Sequence, residues 1–274
     1  MKLKIKAKAI LGAAAVMIGM FAPMFSANAE NPLIDALEKG ETCKKIISLA
    51  HENPDLVGTS EIWCAIIQWG EKTKSDKSSL EKELLEIYYS HKYPLHVAVE
   101  RGDKGAIKRL LEENSTLIST GLDCYSRLPI QYVNDLETLK CLYEHGGTGF
   151  KIAVAADPVF NSLFYRCSFE PSLLEFLLQH AGDEIINWRD RYGNTILHSL
   201  FNNLSIYNNV CSEKEKLSKC MDSIELVMQH GGEKIINTLT KSGRTPLDLL
   251  RYNSENLVSV FQDKYGAKYS SELS

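Results

Sequence analysis

Seven histidines and seven cysteines are the side chains of this 274-residue sequence with the most chemistry to offer. An imidazole titrates near neutrality and ligates metals through either nitrogen, so His51, His91, His96, His145, His180, His198 and His230 invite acid-base or metal readings. Their positions argue otherwise. His96 and His198 each follow a Leu, in Tyr93-Pro94-Leu95-His96 and Thr195-Ile196-Leu197-His198. His145, His180 and His230 each stand just before the Gly that ends a long helical pattern, where a partly charged imidazole suits the backbone dipole. His51 lies near another such end, and only His91 falls outside the scheme. Residues at matching places of a repeating pattern belong to its scaffold, so no catalytic residue, metal or cofactor is expected. The sequence also lacks a Gly-x-Ser-x-Gly elbow, a Walker loop and a His-Glu-x-x-His pair. Gly146-Gly147-Thr148-Gly149 could cradle a phosphate in isolation, but without the adjacent Lys and Ser or Thr of a phosphate loop it reads as a helix stop.

The cysteines are Cys43, Cys64, Cys124, Cys141, Cys167, Cys211 and Cys220. An odd number leaves at least one unpaired even where disulfides are permitted. Cys211 and Cys220 are the pair to expect, because both fall in one insertion and could close a small loop. The others suit small apolar filler positions. No Cys-x-x-Cys occurs, so zinc or dithiol chemistry has little support.

The elements that position these residues recur. Aligning Pro32, Glu61, Pro94, Pro129, Ser162, Ile196 and Pro246 gives spacings of 29, 33, 35, 33, 34 and 50 residues. A period near 33 marks a stacked helical array. The clearest internal copy sets His180-Ala181-Gly182-Asp183-Glu184-Ile185-Ile186-Asn187 against His230-Gly231-Gly232-Glu233-Lys234-Ile235-Ile236-Asn237, with Gly193-Asn194-Thr195-Ile196-Leu197 against Gly243-Arg244-Thr245-Pro246-Leu247. In each unit a Gly permits positive φ at a turn, a Thr caps the next helix, and Pro or its substitute opens it. A short helix, a tight turn and a longer helix with paired apolar residues such as Leu177 and Leu178 follow.

At these residues the sequence resembles the ankyrin repeat family, whose consensus runs Gly-x-Thr-Pro-Leu-His, with Ala, Gly and a Leu-Leu pair further on. Residues 93–114 and 243–261 match best, and the resemblance covers roughly residues 31–267. The units at 60–70 and 128–142 depart from it, the first with Glu61 for Pro and the second shortened between its helices. The resemblance implies an all-α fold, an ankyrin-repeat solenoid of about seven helix-turn-helix units with short hairpin-like fingers. Stacking supplies the stability of such an array, and its end units carry a more polar outer side.

Lys2, Lys4, Lys6 and Lys8 precede an apolar run from Ala9 to Met24, then Ala27-Asn28-Ala29. Residues 1–29 thus read as a secretory signal peptide, cleaved after Ala29. The run falls short of the roughly 20 residues that span a bilayer, so no stable membrane insertion is expected after cleavage. The resemblance and the signal together imply that residues 30–274 form one ankyrin-repeat domain of a periplasmic protein. Without the four signal lysines, 27 basic residues face 35 acidic ones, a net of −8. That balance disfavours nucleic acid and anionic lipid and leans weakly toward a basic protein partner.

The 50-residue step from Ile196 to Pro246 places an insertion at about residues 202–222, expected as a loop between the two helices of one unit. It is either a tolerated surface insertion or a partner contact. The turn Trp188-Arg189-Asp190-Arg191-Tyr192 places Trp, Tyr and two Arg where a tip should be exposed, and such residues dominate interface energetics. Tyr125, Arg127 and Lys241 occupy equivalent tips, and Arg101 joins them as a candidate partner contact. Alternatively, Trp188 packs on its neighbour and the arginines are merely solvated.

The resemblance implies a non-enzymatic module that binds a protein partner. Exported proteins made wholly of ankyrin repeats occur as immunity proteins against antibacterial toxins, including phospholipase effectors of type VI secretion, which makes occlusion of a toxin the leading expectation. A periplasmic scaffold or stress-protection protein associated with oxidative defence is the alternative. An effector exported to a host is a third.

Overall fold

The computed structural model describes residues 31–75, 77–156, 162–208, 214–250 and 255–273. The expected signal peptide lies outside them. Among the described residues the chain is all-α, with fourteen helices, several short 3-10 turns and no strand. None of these helices is long and apolar enough to cross a membrane. The chain divides into two compact units, residues 1–94 and 95–274.

The first unit contains α1 (Pro32–Lys39), α2 (Cys43–Glu52), α3 (Ser60–Thr73) and α4 (Lys77–Lys92). Asn31 opens α1 by accepting from the amides of Leu33 and Ile34, with Pro32 at the first position. Gly40, at φ 74°, closes it, and Thr42 caps α2 through the Lys45 amide. These are the residue types that satisfy helix ends at least cost. Helix α1 packs on α3 and α2 on α4, around Leu33, Leu37, Ile46, Ile62, Ile66, Trp69, Leu80 and Leu84. The Trp69 indole donates to the Glu41 carbonyl at 2.9 Å, tying one helical pair to the next.

The second unit comprises α5 (Pro94–Arg101), α6 (Lys104–Glu113), α7 (Leu117–Thr120), α8 (Leu136–Gly146), α9 (Thr148–Ala155), α10 (Ser162–Cys167), α11 (Pro171–Asn187), α12 (Ile196–Asn208), α13 (Lys214–Gln229) and α14 (Glu255–Tyr265). Asp103 and Asp135 cap α6 and α8 through the amides of Ala106 and Thr138. Two rows result. The longer helices pack in sequence, α6 on α8, α8 on α11 and α11 on α13, while the 3-10 turn at Pro129–Tyr132 packs on α10, α10 on α12, and α12 on the 3-10 turn at Leu247–Leu249. Helix α11 alone buries Leu173, Leu174, Leu177, Leu178, Ile185 and Ile186. Each contributes about 1.5–3 kcal/mol because α8, α9, α10 and α13 all pack against this helix.

Three features differ from expectation. The insertion does not emerge as a loop through residues 202–222. Residues 202–208 prolong α12 and 214–222 open α13, leaving only 209–213 outside the described residues. Leu204 in one extension and Cys220 in the other are buried, four residues from the buried Leu200 and Ile224, so each extension continues the apolar face of its helix. Short helices expected at Pro129 and Pro246 contract to 3-10 turns. The twin segments at 180–187 and 230–237 also diverge: Gly231 adopts φ 107° and stops its helix, whereas Ala181, at φ −145°, only kinks α11. Glycine reaches positive φ freely and alanine does not.

The Gly146–Gly149 segment joins two helices. Gly147, at φ 53°, ends α8 and precedes α9. A Cβ on Gly146 or Gly149 would stand 2.5 or 2.7 Å from the Ile118 side chain, so these glycines permit close packing against α7.

Candidate functional site

Three turns of the second unit repeat one hydrogen-bond pattern. In each, the first residue's amide donates to the carbonyl four residues on: Asp123 to Arg127 at 3.0 Å, Asp190 to Asn194 at 3.0 Å, and Thr240 to Arg244 at 2.8 Å. The amide three residues on returns to the first carbonyl, from Ser126, Gly193 and Gly243 at 2.9, 2.9 and 3.0 Å. Those three residues have φ of 56°, 81° and 74°. The first side chain completes the turn. Asp123 Oδ1 accepts from the Tyr125 and Arg127 amides, Asp190 Oδ1 from those of Tyr192 and Asn194, and Thr240 Oγ1 from that of Arg244.

The first and third of these turns are also fixed from behind by a histidine of an earlier helix. His96 Nε2 lies 2.8 Å from the Arg127 carbonyl and His198 Nε2 3.1 Å from the Arg244 carbonyl. Thr245 Oγ1 donates to the Lys268 carbonyl at 2.8 Å. His198 Nδ1 accepts from the Thr195 amide at 3.1 Å, so its proton sits on Nε2 and is donated to Arg244. Burial pushes both imidazoles below their ordinary value, more than the carbonyl bonds raise them. These two histidines are joints of the scaffold.

Around the first turn, burial would raise the Asp123 carboxyl, but the Tyr132 hydroxyl and the Arg127 and Tyr125 amides outweigh it and hold the group below its ordinary value. The Tyr132 hydroxyl donates to Asp123 Oδ2. Burial and that bond push Tyr132 upward. The Arg127 guanidinium pairs with Asp123 at 3.2 Å and lies over the rings of Tyr125 and Tyr132, 4.6 and 4.7 Å from their centroids.

The candidate contact residues separate into groups. Trp188 is only 8% exposed, packed edge-on against Phe164 at 5.5 Å, which corrects the expectation of an exposed tip. It is the C-cap of α11, its backbone amide donating to the Ile185 carbonyl. Arg189 donates through Nη1 to the carbonyls of Ile186 and Trp188, so one nitrogen serves that same helix end. Arg191 and Tyr192 are exposed, the guanidinium 4.8 Å from the ring centroid. The Lys241 amide donates to the Tyr192 carbonyl at 2.9 Å, bringing Arg191, Tyr192 and Lys241 onto two adjoining turns. Tyr125 is exposed on the earlier turn with Arg127, while Arg101 is exposed at the end of α5, outside the three turns.

Sequence reasoning missed Arg244. It is exposed, shares the Lys241 turn and occupies the place of Arg127, a register that the aligned Pro129 and Pro246 already carried. Of the expected disulfide, Cys211 lies outside the described residues. The Cys220 thiol is fully buried, donates to the Leu200 carbonyl at 3.4 Å, and is pushed up to about 12 by burial.

No protein-family model, curated protein or solved structure matches this chain.

Proposed function

We propose that the chain is a non-enzymatic, exported protein-binding module built as an ankyrin-like solenoid, acting as an immunity protein that occludes a toxin such as a phospholipase effector in the periplasm. The observation that carries the binding reading is the recurring latch from a helix to a later turn, from His96 to Arg127 and from His198 to Arg244. The imidazoles of His96 and His198 are committed to holding turns in place, and repeated turns on a fixed backing present a surface for recognition. Further cross-links favour the solenoid: Asn134 to Glu100 and Arg166 to Val133 join residues 34 and 33 apart, and Lys72 to Glu38 in the first unit joins residues 34 apart. Export rests on the sequence of residues 1–29, and the toxin on the family resemblance.

The test is co-purification of the exported chain with toxins encoded beside its gene, together with deletion of that gene. A stable complex that abolishes toxin activity, and sensitivity of the deletion strain to sibling cells, support the proposal. Absence of both overturns the immunity reading, and substrate turnover by the purified chain overturns the binding-module reading.

A further inference from the structure

The sequence is acidic overall, with a net charge of −4. Its three patterned turns run the other way. Residues 122–127, 189–194 and 239–244 contain Arg127, Arg189, Arg191, Lys241 and Arg244 against only Asp123 and Asp190. Both carboxylates are turned inward: Asp123 accepts from the Tyr125 and Arg127 amides, the Arg127 guanidinium and Tyr132, and Asp190 from the Tyr192 and Asn194 amides and the Asn194 side chain. No carboxylate of these turns is left to face the cations of the second and third. Among the described residues Arg191, Lys241 and Arg244 form no ion pair, and all three are exposed.

The backbone bond from Lys241 to Tyr192 holds the second and third turns side by side, so their side chains share one edge. Two apolar groups flank the cations: Tyr192 and Leu239 are each 48% exposed. Arg191 already lies over the Tyr192 ring, which orients the guanidinium before anything binds.

We propose that Arg191, Tyr192, Lys241 and Arg244 dock an acidic segment of a protein partner, its carboxylates on the cations and an apolar side chain against Tyr192 and Leu239. This rests on the protein-binding reading and gives the partner a charge sign opposite to the one the whole-chain balance suggested. A polyanion extending far beyond the edge meets the repulsion of the remaining acidic surface, whereas a short acidic segment meets only the local field. That favours protein over nucleic acid. Guanidinium groups suit carboxylates through paired N–H donors, so the two arginines give direction as well as charge.

The test uses the full chain and a fluorescein-labelled peptide rich in Asp and Glu with one Phe and one Leu. Its Asn/Gln counterpart and a single-stranded oligonucleotide of equal charge serve as comparisons, all followed by anisotropy. Saturable binding of the acidic peptide is expected, weakening severalfold between about 50 and about 200 mM salt because exposed charges are screened. Arg191→Gln/Lys241→Gln/Arg244→Gln should weaken it about tenfold or more, and Tyr192→Ala severalfold. Arg191→Gln alone, with unchanged circular dichroism and melting, guards against misfolding of the triple variant.

No saturable binding, equal affinity for the triple variant, or an oligonucleotide bound as tightly as the peptide overturns the proposal. A toxin captured by the chain with affinity unchanged in the triple variant also overturns it, while leaving the binding-module reading intact. Failure of that broader reading is distinct, because it would show as turnover by the purified chain.

Discussion

His198 Nε2 lies 3.1 Å from the carbonyl oxygen of Arg244, 46 residues later in the sequence, and its Nδ1 accepts from the Thr195 amide at 3.1 Å. One imidazole therefore closes the start of α12 and anchors the following turn. Removing it leaves the Thr195 amide without its acceptor in a fully buried site. His198→Ala should destabilise the second unit by about 2–4 kcal/mol, combining a lost buried hydrogen-bond partner with a cavity. Urea unfolding followed by amide exchange at Thr195 measures it. A change within error would show that the imidazole is not a joint.

Acid should weaken the same joints. Burial lowers the pKa of His96 and His198 from the ordinary 6.5, so the unfolded chain binds protons at a pH where the folded chain does not. Their contribution is intact above that value and is lost as pH falls through 6.5 toward the depressed folded values. Protonation at Nδ1 of His198 would also set a donor against the Thr195 amide. Asp123 and Asp248 act in a lower window. Burial opposes ionisation of both, but hydrogen bonds prevail and lower them from 3.8, so their contribution is lost as pH falls through 3.8. Melting temperature should therefore fall in two stages on acidification, with His96→Gln/His198→Gln flattening the upper one.

The turns should respond unequally to a methyl group. Gly193 and Gly243 have φ of 81° and 74°, so Ala at either carries about 1–2 kcal/mol of backbone strain. A Cβ on Gly193 would also stand 3.1 Å from the Lys241 amide nitrogen, whereas one on Gly243 meets nothing within 4 Å. Gly193→Ala should thus be the more destabilising by thermal melting. Ser126, at φ 56°, holds the equivalent place, and Ser126→Gly should be neutral or stabilising by up to about 1 kcal/mol once strain relief is set against backbone entropy.

Local chemistry decided what was legible. Gly193, Thr195 and His198 announce a turn, a cap and a joint because each residue type answers a backbone need within a few positions. Helical character followed from the spacing of Leu173, Leu174, Leu177 and Leu178. Helix α9 and the extension of α12 were missed, since Phe150 and Leu204 find their partners through tertiary packing rather than through the repeat. Arg244 was overlooked although its register matches that of Arg127, and Trp188 was misjudged because its charged neighbours suggested a solvated tip. Its burial depends on Phe164, 24 residues earlier, which no local pattern reveals.

That burial separates stability from recognition in one turn. Trp188 packs on Phe164 and is 8% exposed, so Trp188→Ala should cost about 3–5 kcal/mol, as large-to-small core changes do. Arg191 and Tyr192 touch chiefly each other and solvent, so Arg191→Ala and Tyr192→Ala should each remain within about 0.5–1 kcal/mol of the parent. Binding losses then have different causes: those of the Trp188 variant should track its unfolded fraction, whereas those of the Arg191 and Tyr192 variants should occur in fully folded protein. Parallel urea titrations and peptide anisotropy resolve them. A folded Trp188→Ala protein with parental stability would show that the indole is not part of the core.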